Sequence, residues 1–407
     1  MSFNIALTGL NAAQQDLAVT SNNLANATTV GFKSSRAEFG DIFASTQTGV
    51  ASTAVGNGVR VQDVAQQFSQ GNTETTGNSL DLAINGNGFF TVSNNGSLSY
   101  TRDGQFHLNN AGQVVTAAGA QLQVYAPLPS GGFNTGGLAN LVLNTNESAP
   151  QATSTAAVTA TLPASAAQPV TTPFNPADPT SYNNTTSLTV YDSLGSAHTQ
   201  SLYFIKGATA NDWSVETYID GNEVGTAQDL QYSNTGVLTN PPNGQITLPA
   251  YTPATGAADM NITMNLSNTQ QTGDNFAVTA VQQNGFTVGT LTGININSTG
   301  VVQATFTNGR SVNLGQVAMA NFANPQGLQQ MGNASWSQTT SSGSVVQGVA
   351  GGSGFGSIQS GALEESNVDT TSALVSMITA QRNFQANAQM IQTDNQISQT
   401  IIQIRGG

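Results

Sequence analysis

The sequence predicts an α+β protein, mainly β. Long N- and C-terminal helices pair as a coiled coil, and two nested β domains are inserted between them. Three observations carry this expectation. Long helical periodicity is confined to the two ends of the 407 residues. The middle strings short apolar runs between Asn-Gly, Asp-Gly and Ala-Gly turns. Composition agrees: Gly 43, with abundant Asn, Thr, Ser and Gln, suits many turns and short strands.

At the N-terminus, Phe3, Ala6, Leu10, Ala13, Leu17, Thr20 and Leu24 alternate three and four apart, the spacing of a coiled-coil seam. The stretch LAVTSNNLANATTVGFK (17–33) then fills with Asn22, Asn23 and Asn26 outside that seam, each costing a helix roughly 0.7 kcal/mol relative to Ala. Gly31 is the expected helix stop, with Lys33 and Arg36 placed to suit the C-terminal dipole. Residues 33–70 read as a connecting extended segment. Residues 88–125 read as a chain of hairpins, and 149–180, rich in Ala, Pro and Thr, as a crossing between domains with some extended structure. LTVYDSLGSAHTQSLYFIK (188–206) is a hairpin around Ser193–Ser196, followed by a strand at Trp213. A third β region runs from Phe286 to about Trp336, and 341–357 is glycine-rich and irregular.

The C-terminal seam runs through Leu363, Asn367, Thr370, Leu374, Met377, Gln381, Phe384, Ala388, Ile391, Asn395, Ser398 and Ile402. Ser366-x-x-Asp369 fits a capping box, though Asp369 serves equally well as the cap. Glu364, Glu365 and Asp369 near its start and Arg405 at its end suit the dipole. At 1.5 Å per residue the two helices measure roughly 39 Å and 55 Å. If they pair, the chain goes out and returns. That gives a terminal helical part (1–32 and 363–407), an inner β domain in two pieces (71–145 and 286–362) and an outer β domain (146–285). A seam of small residues gives a lone helix pair little to bury, so the ends are expected to be mobile in a monomer and ordered in an assembly.

Composition excludes several functions. Charged residues are 7% of the chain against the usual figure of about 25%, and the net charge is −13. Eight Lys and Arg supply no basic patch for nucleic acid or anionic lipid. Cysteine is absent, which removes disulfides, thiol catalysis and Cys-based metal sites. The N-terminus lacks a signal-peptide pattern, and no apolar run is long enough to span a bilayer, so export without a cleaved leader and no membrane insertion are expected.

His107 and His198 each stand alone in a predicted hairpin and read as surface strand residues, since a metal or His-based catalytic site would need distant Asp or Glu partners. Gly56-Asn57-Gly58 and Gly86-Asn87-Gly88 lack the helix and Gly-Lys-Ser/Thr of a phosphate loop and read as turns. Gly351-Gly352-Ser353-Gly354 is not a nucleophile elbow, and Asp103 and Asp192-Ser193 read as turn formers. No catalytic, cofactor or metal site is expected.

The seams themselves allow two readings. One is a two-helix flap packed on its own β domain. The other is polymerisation through Phe3, Leu10, Leu17, Leu24, Leu374, Met377, Phe384, Ile391 and Ile402. Composition favours the second, because a charge at a repeating interface recurs on every neighbour, whereas Asn, Gln, Ser and Thr bond without that penalty. From Met1 to Phe32 the only charged side chain is Asp16.

Residues 18–39, AVTSNNLANATTVGFKSSRAEF, resemble the N-terminal signature of the axial proteins of the bacterial flagellum, the rod and hook family. The matching positions are Asn22, Asn23, Leu24, Ala25, Asn26, Thr29, Gly31, Phe32 and Lys33. Residues 366–405 resemble the family's C-terminal signature, including Asn367, Val368, Asp369, Gln381 and Arg382. GNGFF and YTRDGQF (86–106) resemble its inner β domain. VYDSLGSAHTQSLYFIK and FANPQGLQQMGNASW (322–336) are similar to its hook branch rather than its rod branch, as is the long insertion between about 146 and 285.

The resemblance implies a subunit exported unfolded through the flagellar type III apparatus and assembled under a hook cap. Its product is a curved hollow tube at the cell surface, seated on the distal rod protein and ending at a hook–filament junction protein. Such a tube carries torque as a universal joint. Phe32 and Phe384 stand where the family commonly has tyrosine. A distal rod-type subunit is the nearest alternative. A secreted β-rich adhesin or carbohydrate-binding protein would explain the Asn, Thr and Gly content but not two terminal seams, and a hydrolase has no nominated nucleophile.

Overall fold

The computed structural model describes residues 2–42, 56–143 and 147–405. The 43–55 part of the connecting segment, the predicted boundary at 145–146 and the side chain of Arg405 lie outside them. The protein is mainly β, with helix α1 (Ser2–Ala25) packed on helix α2 (Thr370–Arg405). By contacts the chain separates into two units: residues 1–144, 293–305 and 311–407 form one, and 145–292 with 306–310 the other.

α1 ends at Ala25, six residues before the expected stop. The Asn26 amide still reaches the carbonyls of Asn22 and Asn23, but its side chain bonds the Asn22 carbonyl and accepts from the Thr29 hydroxyl. Side-chain competition of this kind favours a turn over another helical turn. At α2, Asp369 is the cap: its Oδ1 accepts the Ser372 amide at 2.9 Å. Leu363 and Glu364, expected at the start of the helical stretch, lie instead in a strand (Ala362–Glu364) antiparallel to Thr73–Thr75.

The described parts of the connecting segment are two extended strands paired with each other. Ser35–Asp41 pairs antiparallel with Val59–Gln66, with a bulge at Glu38/Phe39, and both strands pack along α1. The β part of this unit is a sheet whose central path joins Val301–Phe306, Ser311–Asn321, Gln121–Tyr125, Phe89–Asn94, Ser97–Thr101 and Ser335–Ser337. Its core gathers Leu82, Ile84, Phe90, Leu122, Val317 and Met319. A second cluster, Phe89, Tyr100, Phe322 and Trp336, receives Phe68 from just past the second of these strands, Val59–Gln66. The stretch expected to be irregular, 341–357, contributes Val346–Val349 paired to Ser311–Asn321, and Ser357–Ser360 pairs with Leu82–Asn85.

In the second unit, Asn184–Tyr191, Ala197–Lys206, Asp212–Ile219 and Gln228–Tyr232 form an antiparallel sheet. Alternate residues of these strands, among them Val190, Leu202, Phe204, Trp213 and Leu230, share one core with Val158, Leu162 and Met264. Thr155–Pro163, predicted as part of a crossing, is a nine-residue strand in the middle of the other sheet. It is parallel to Thr263–Asn265 and Gln270–Thr272 and antiparallel to Ala277–Gln283. Its alternation of buried and half-buried residues is the strand signature, with Ala156, Val158, Ala160 and Leu162 on the buried face.

Candidate functional site

The helix pair is the first part of the site. α1 and α2 run antiparallel: Asn23 of α1 shares a groove with Asn367–Ser372, whereas Gly9 lies against Asn387. The fully buried residues of the interface are small, with Ala6, Ala13 and Thr20 covered on α1 and Ala380 completely buried on α2. A Cβ built at Gly9 would stand 2.6 Å from Asn387 Oδ1, so the Asn387 side chain occupies the space that the missing Gly9 side chain leaves. The expected large-residue column behaves differently. Leu10, Leu17 and Leu24 are half-buried, as are Met377, Phe384 and Ile391. Phe3 and Leu374 are exposed, and Ile402 is 71% exposed. The period of the stripe is as predicted, but the contact follows its small column, and the leucines flank it. α2, at 36 residues, outreaches α1, at 24, and residues 395–404 are exposed throughout. Ile397, Ile401, Ile402 and Ile404 therefore leave an apolar helix end without cover inside this chain.

The second part is the root from which both helices leave. Glu364, fully buried, bonds Lys33 Nζ at 2.6 Å through Oε1 and Arg102 Nη1 at 2.9 Å through Oε2. Oε1 also accepts the Gly71 amide at 3.0 Å. Lys33 Nζ donates further to the Ser69 carbonyl at 2.7 Å, and Arg102 Nη2 to the Gly86 carbonyl at 2.8 Å. Burial pushes the Lys33 ammonium and the Arg102 guanidinium below their ordinary pKa values, and the Glu364 carboxylate opposes that shift in both.

Gly31 completes the root. Its φ is +68°, its amide donates to the Glu364 carbonyl at 2.8 Å, and a Cβ there would lie 2.5 Å from the Asp103 nitrogen. Asn367 bridges the two ends of the chain, accepting the Ser34 amide at 2.7 Å and donating to the Gln67 carbonyl at 2.7 Å. Asn23 ties α1 to the strand that follows it, exchanging bonds with both backbone groups of Ser35.

Several sequence expectations are corrected here. Lys33 is not a dipole residue at a helix end: it is buried and paired with Glu364, which itself lies in a strand ahead of α2. Asn23 and Asn367 are committed within the chain, and Phe32 is buried. Asn22, Ala25, Thr29, Asp369, Gln381 and Arg382 face outward, with Asn26 and Val368 half-buried. The Glu364–Arg102 link went unread in the sequence. The available signal was rarity, since in a chain with eight basic residues each one next to a helix signature merits a search for its acid.

His198 also departs from expectation. His107 is exposed, but His198 is buried, with Nε2 3.2 Å from Asp192 Oδ2 and Nδ1 2.5 Å from Asp220 Oδ2. The two carboxylates lie on opposite ring edges, and among the described residues no His, Asp or Glu cluster is arranged to hold a metal ion.

Comparison with known proteins follows this geometry. Residues 3–33 match a family described as flagella basal body rod protein, and 83–160 match the flagellar hook protein FlgE/F/G D1 domain. Residues 161–286 match the flagellar basal body protein FlaE D2 domain, and 359–404 the flagellar basal body rod FlgEFG protein C-terminal family. Over its full length the chain is 39% identical to the flagellar hook protein FlgE of Salmonella typhimurium, with 100% of both chains covered. The chain belongs to the flagellar hook protein family.

Identity to the hook protein FlgE of Escherichia coli K12 is 40%, again over 100% of both chains. To that of Borreliella burgdorferi it is 30%, over 98% of each. The crystal structure of the Helicobacter pylori flagellar hook protein FlgE2 matches in fold, with a TM-score of 0.54 over 70% of this chain and 99% of that one at 13% identity. Within this hook-family chain, the three charged groups of the root come from three separately matched segments: Lys33 from 3–33, Arg102 from 83–160 and Glu364 from 359–404.

Proposed function

We propose that this chain is the repeating subunit of a flagellar hook. It polymerises through its terminal helices into a curved hollow tube that transmits torque as a universal joint. The observation that carries this is the helix pair: a small-residue contact between α1 and α2 leaves an uncovered apolar surface and a free α2 end. A row of exposed isoleucines at the free end of α2 calls for burial, and further copies of the pair supply it. Near-complete absence of charge along α1 favours such self-association, since apart from Asp16 no like charges recur across a repeat. On this reading Phe3, Leu10, Leu17, Leu24, Leu374, Met377, Phe384, Ile391 and Ile402 become inter-subunit contacts. Residues 1–32 and 363–407 act as the polymerising part, 71–145 with 286–362 as an inner β domain and 146–285 as an outer one. The separate packing of 145–292 supports that division.

The subunit belongs to the external part of the flagellum and meets the distal rod protein, the hook cap, the junction protein and the type III export apparatus in turn. Electron microscopy of the purified polymer, with complementation of a hookless strain, tests the reading. Curved hollow tubes that restore swimming are expected. Straight rod-like assemblies, or a stable monomer that does not complement, would refute it.

A further inference from the structure

We propose that His198 is the charged keystone of a pH-responsive latch in the unit formed by residues 145–292 and 306–310. As an imidazolium it joins three loops, and loss of its proton releases the loop at 251–258. The argument starts from geometry. Both ring nitrogens stand within hydrogen-bonding distance of carboxylate oxygens, which only accept, so both nitrogens carry protons and the ring is positively charged.

The two carboxylates come from different turns. Asp192 sits in the turn between Asn184–Tyr191 and Ala197–Lys206, where its Oδ1 accepts the amides of Leu194 and Ser196 at 2.9 Å each. Asp220 sits with Gly221 in the hairpin turn after Asp212–Ile219, and its Oδ1 accepts the Thr199 amide at 2.9 Å. The third loop meets the Asp192 turn and the imidazole ring. Thr255 donates its hydroxyl to Asp192 Oδ2 at 2.7 Å, the Ala258 amide donates to Ser193 Oγ at 2.9 Å, and the Tyr251 ring lies edge-on to His198 at 6.3 Å.

Asp192, Asp220 and Tyr251 are the titratable groups facing the ring. Asp192 is completely buried and shares Oδ2 between Thr255 and the imidazolium. When the ring becomes neutral, one nitrogen presents a lone pair to a carboxylate. The longer bond is the one to Asp192, so Nε2 is the nitrogen that gives up its proton. A buried carboxylate then loses its counter-charge, and the 251–258 loop loses the acceptor geometry that holds it. Burial by itself would lower the His198 pKa, but the bonds and charges of Asp220 and Asp192 outweigh it and raise the value above 6.5. A raised base contributes stability that is fully present below 6.5 and is lost as pH rises through the folded value.

The test uses the full chain with nitrogen-15 histidine, the two rings being distinguished by His107→Gln. Long-range nitrogen–proton spectra at pH 7 are expected to show both His198 nitrogens protonated. In parallel, Trp336→Phe leaves Trp213 as the fluorescent reporter of this unit. Its folding equilibrium is expected to weaken above pH 6.5 by up to tenfold per pH unit until His198 is neutral, and His198→Gln is expected to abolish that slope while His107→Gln preserves it. A neutral single tautomer of His198 at pH 7, or equal slopes in the parent and His198→Gln, would overturn the proposal. If His198→Gln does not fold, the nitrogen spectrum of the parent decides alone.

Discussion

Replacing Glu364 by Gln probes the root of the helices most directly. The carboxylate meets two cations and one amide, and the side chains of Glu364, Lys33 and Arg102 are 0%, 1% and 6% exposed. Gln can still accept from Lys33 and Gly71 through its oxygen, but its NH2 then faces Arg102 Nη1, donor against donor. Two buried cations lose their shared counter-charge, a change worth about 3–5 kcal/mol when one partner of a buried pair is removed. Against a typical domain stability of about 5–15 kcal/mol, that is roughly a fifth or more of the total.

The comparison substitution is Glu38→Gln, which breaks the Arg36–Glu38 pair at 2.8 Å where the side chains are 67% and 43% exposed. Surface pairs of that kind contribute about 0–1 kcal/mol. Denaturant unfolding of both variants in a Trp213→Phe background, with Trp336 reporting on its own unit, measures the two costs side by side. A loss for Glu364→Gln below about 1 kcal/mol, or equal to that of Glu38→Gln, would refute the view that this node anchors the helices.

Ala380→Leu puts a branched side chain at the completely buried position of α2, and overpacking there is expected to cost about 1–3 kcal/mol and to suppress polymer growth in sedimentation assays while the β units stay folded. Asp369→Ala removes the α2 cap and is expected to cost about 1 kcal/mol, read as fraying of the first helical turn by amide exchange at Ser372 and Ala373. Acid titration addresses Asp192. Burial pushes its carboxyl up, but bonds from Thr255, Ser196, His198 and Leu194 outweigh that and bring it down to about 2. Its contribution is therefore fully present above 3.8 and lost as pH falls toward about 2, so Asp192→Asn is expected to flatten the acid limb of Trp213-monitored unfolding.

The residues show where sequence reading stops. Hairpins and terminal helices were legible because their signals are local: turn residues, a strand alternation or a 3–4 spacing lies within a few positions of the backbone it shapes. Thr155–Pro163 was missed as a strand because two of its four inward residues are Ala, and the apolar signal of Val158 and Leu162 is drowned by the Thr, Ser and Pro around it. His198 was read as exposed because its partners sit in separate turns, and only Asp192 is near it in sequence.

The sequence by itself determined the two periodic ends, the string of turn-bounded strands, the scarcity of charge and the family signatures. Tertiary structure decided which column of the helical stripe is buried, since that depends on the residues opposite, as where the Asn387 side chain fills the space beside Gly9. It also decided the fate of the motif charges and amides. Glu364 reaches Lys33 across 331 positions, and Asn367 meets Ser34 across 333. Chain closure over such distances follows no local pattern. It is set by the folding of everything between, and that brings both ends of the chain to one buried carboxylate.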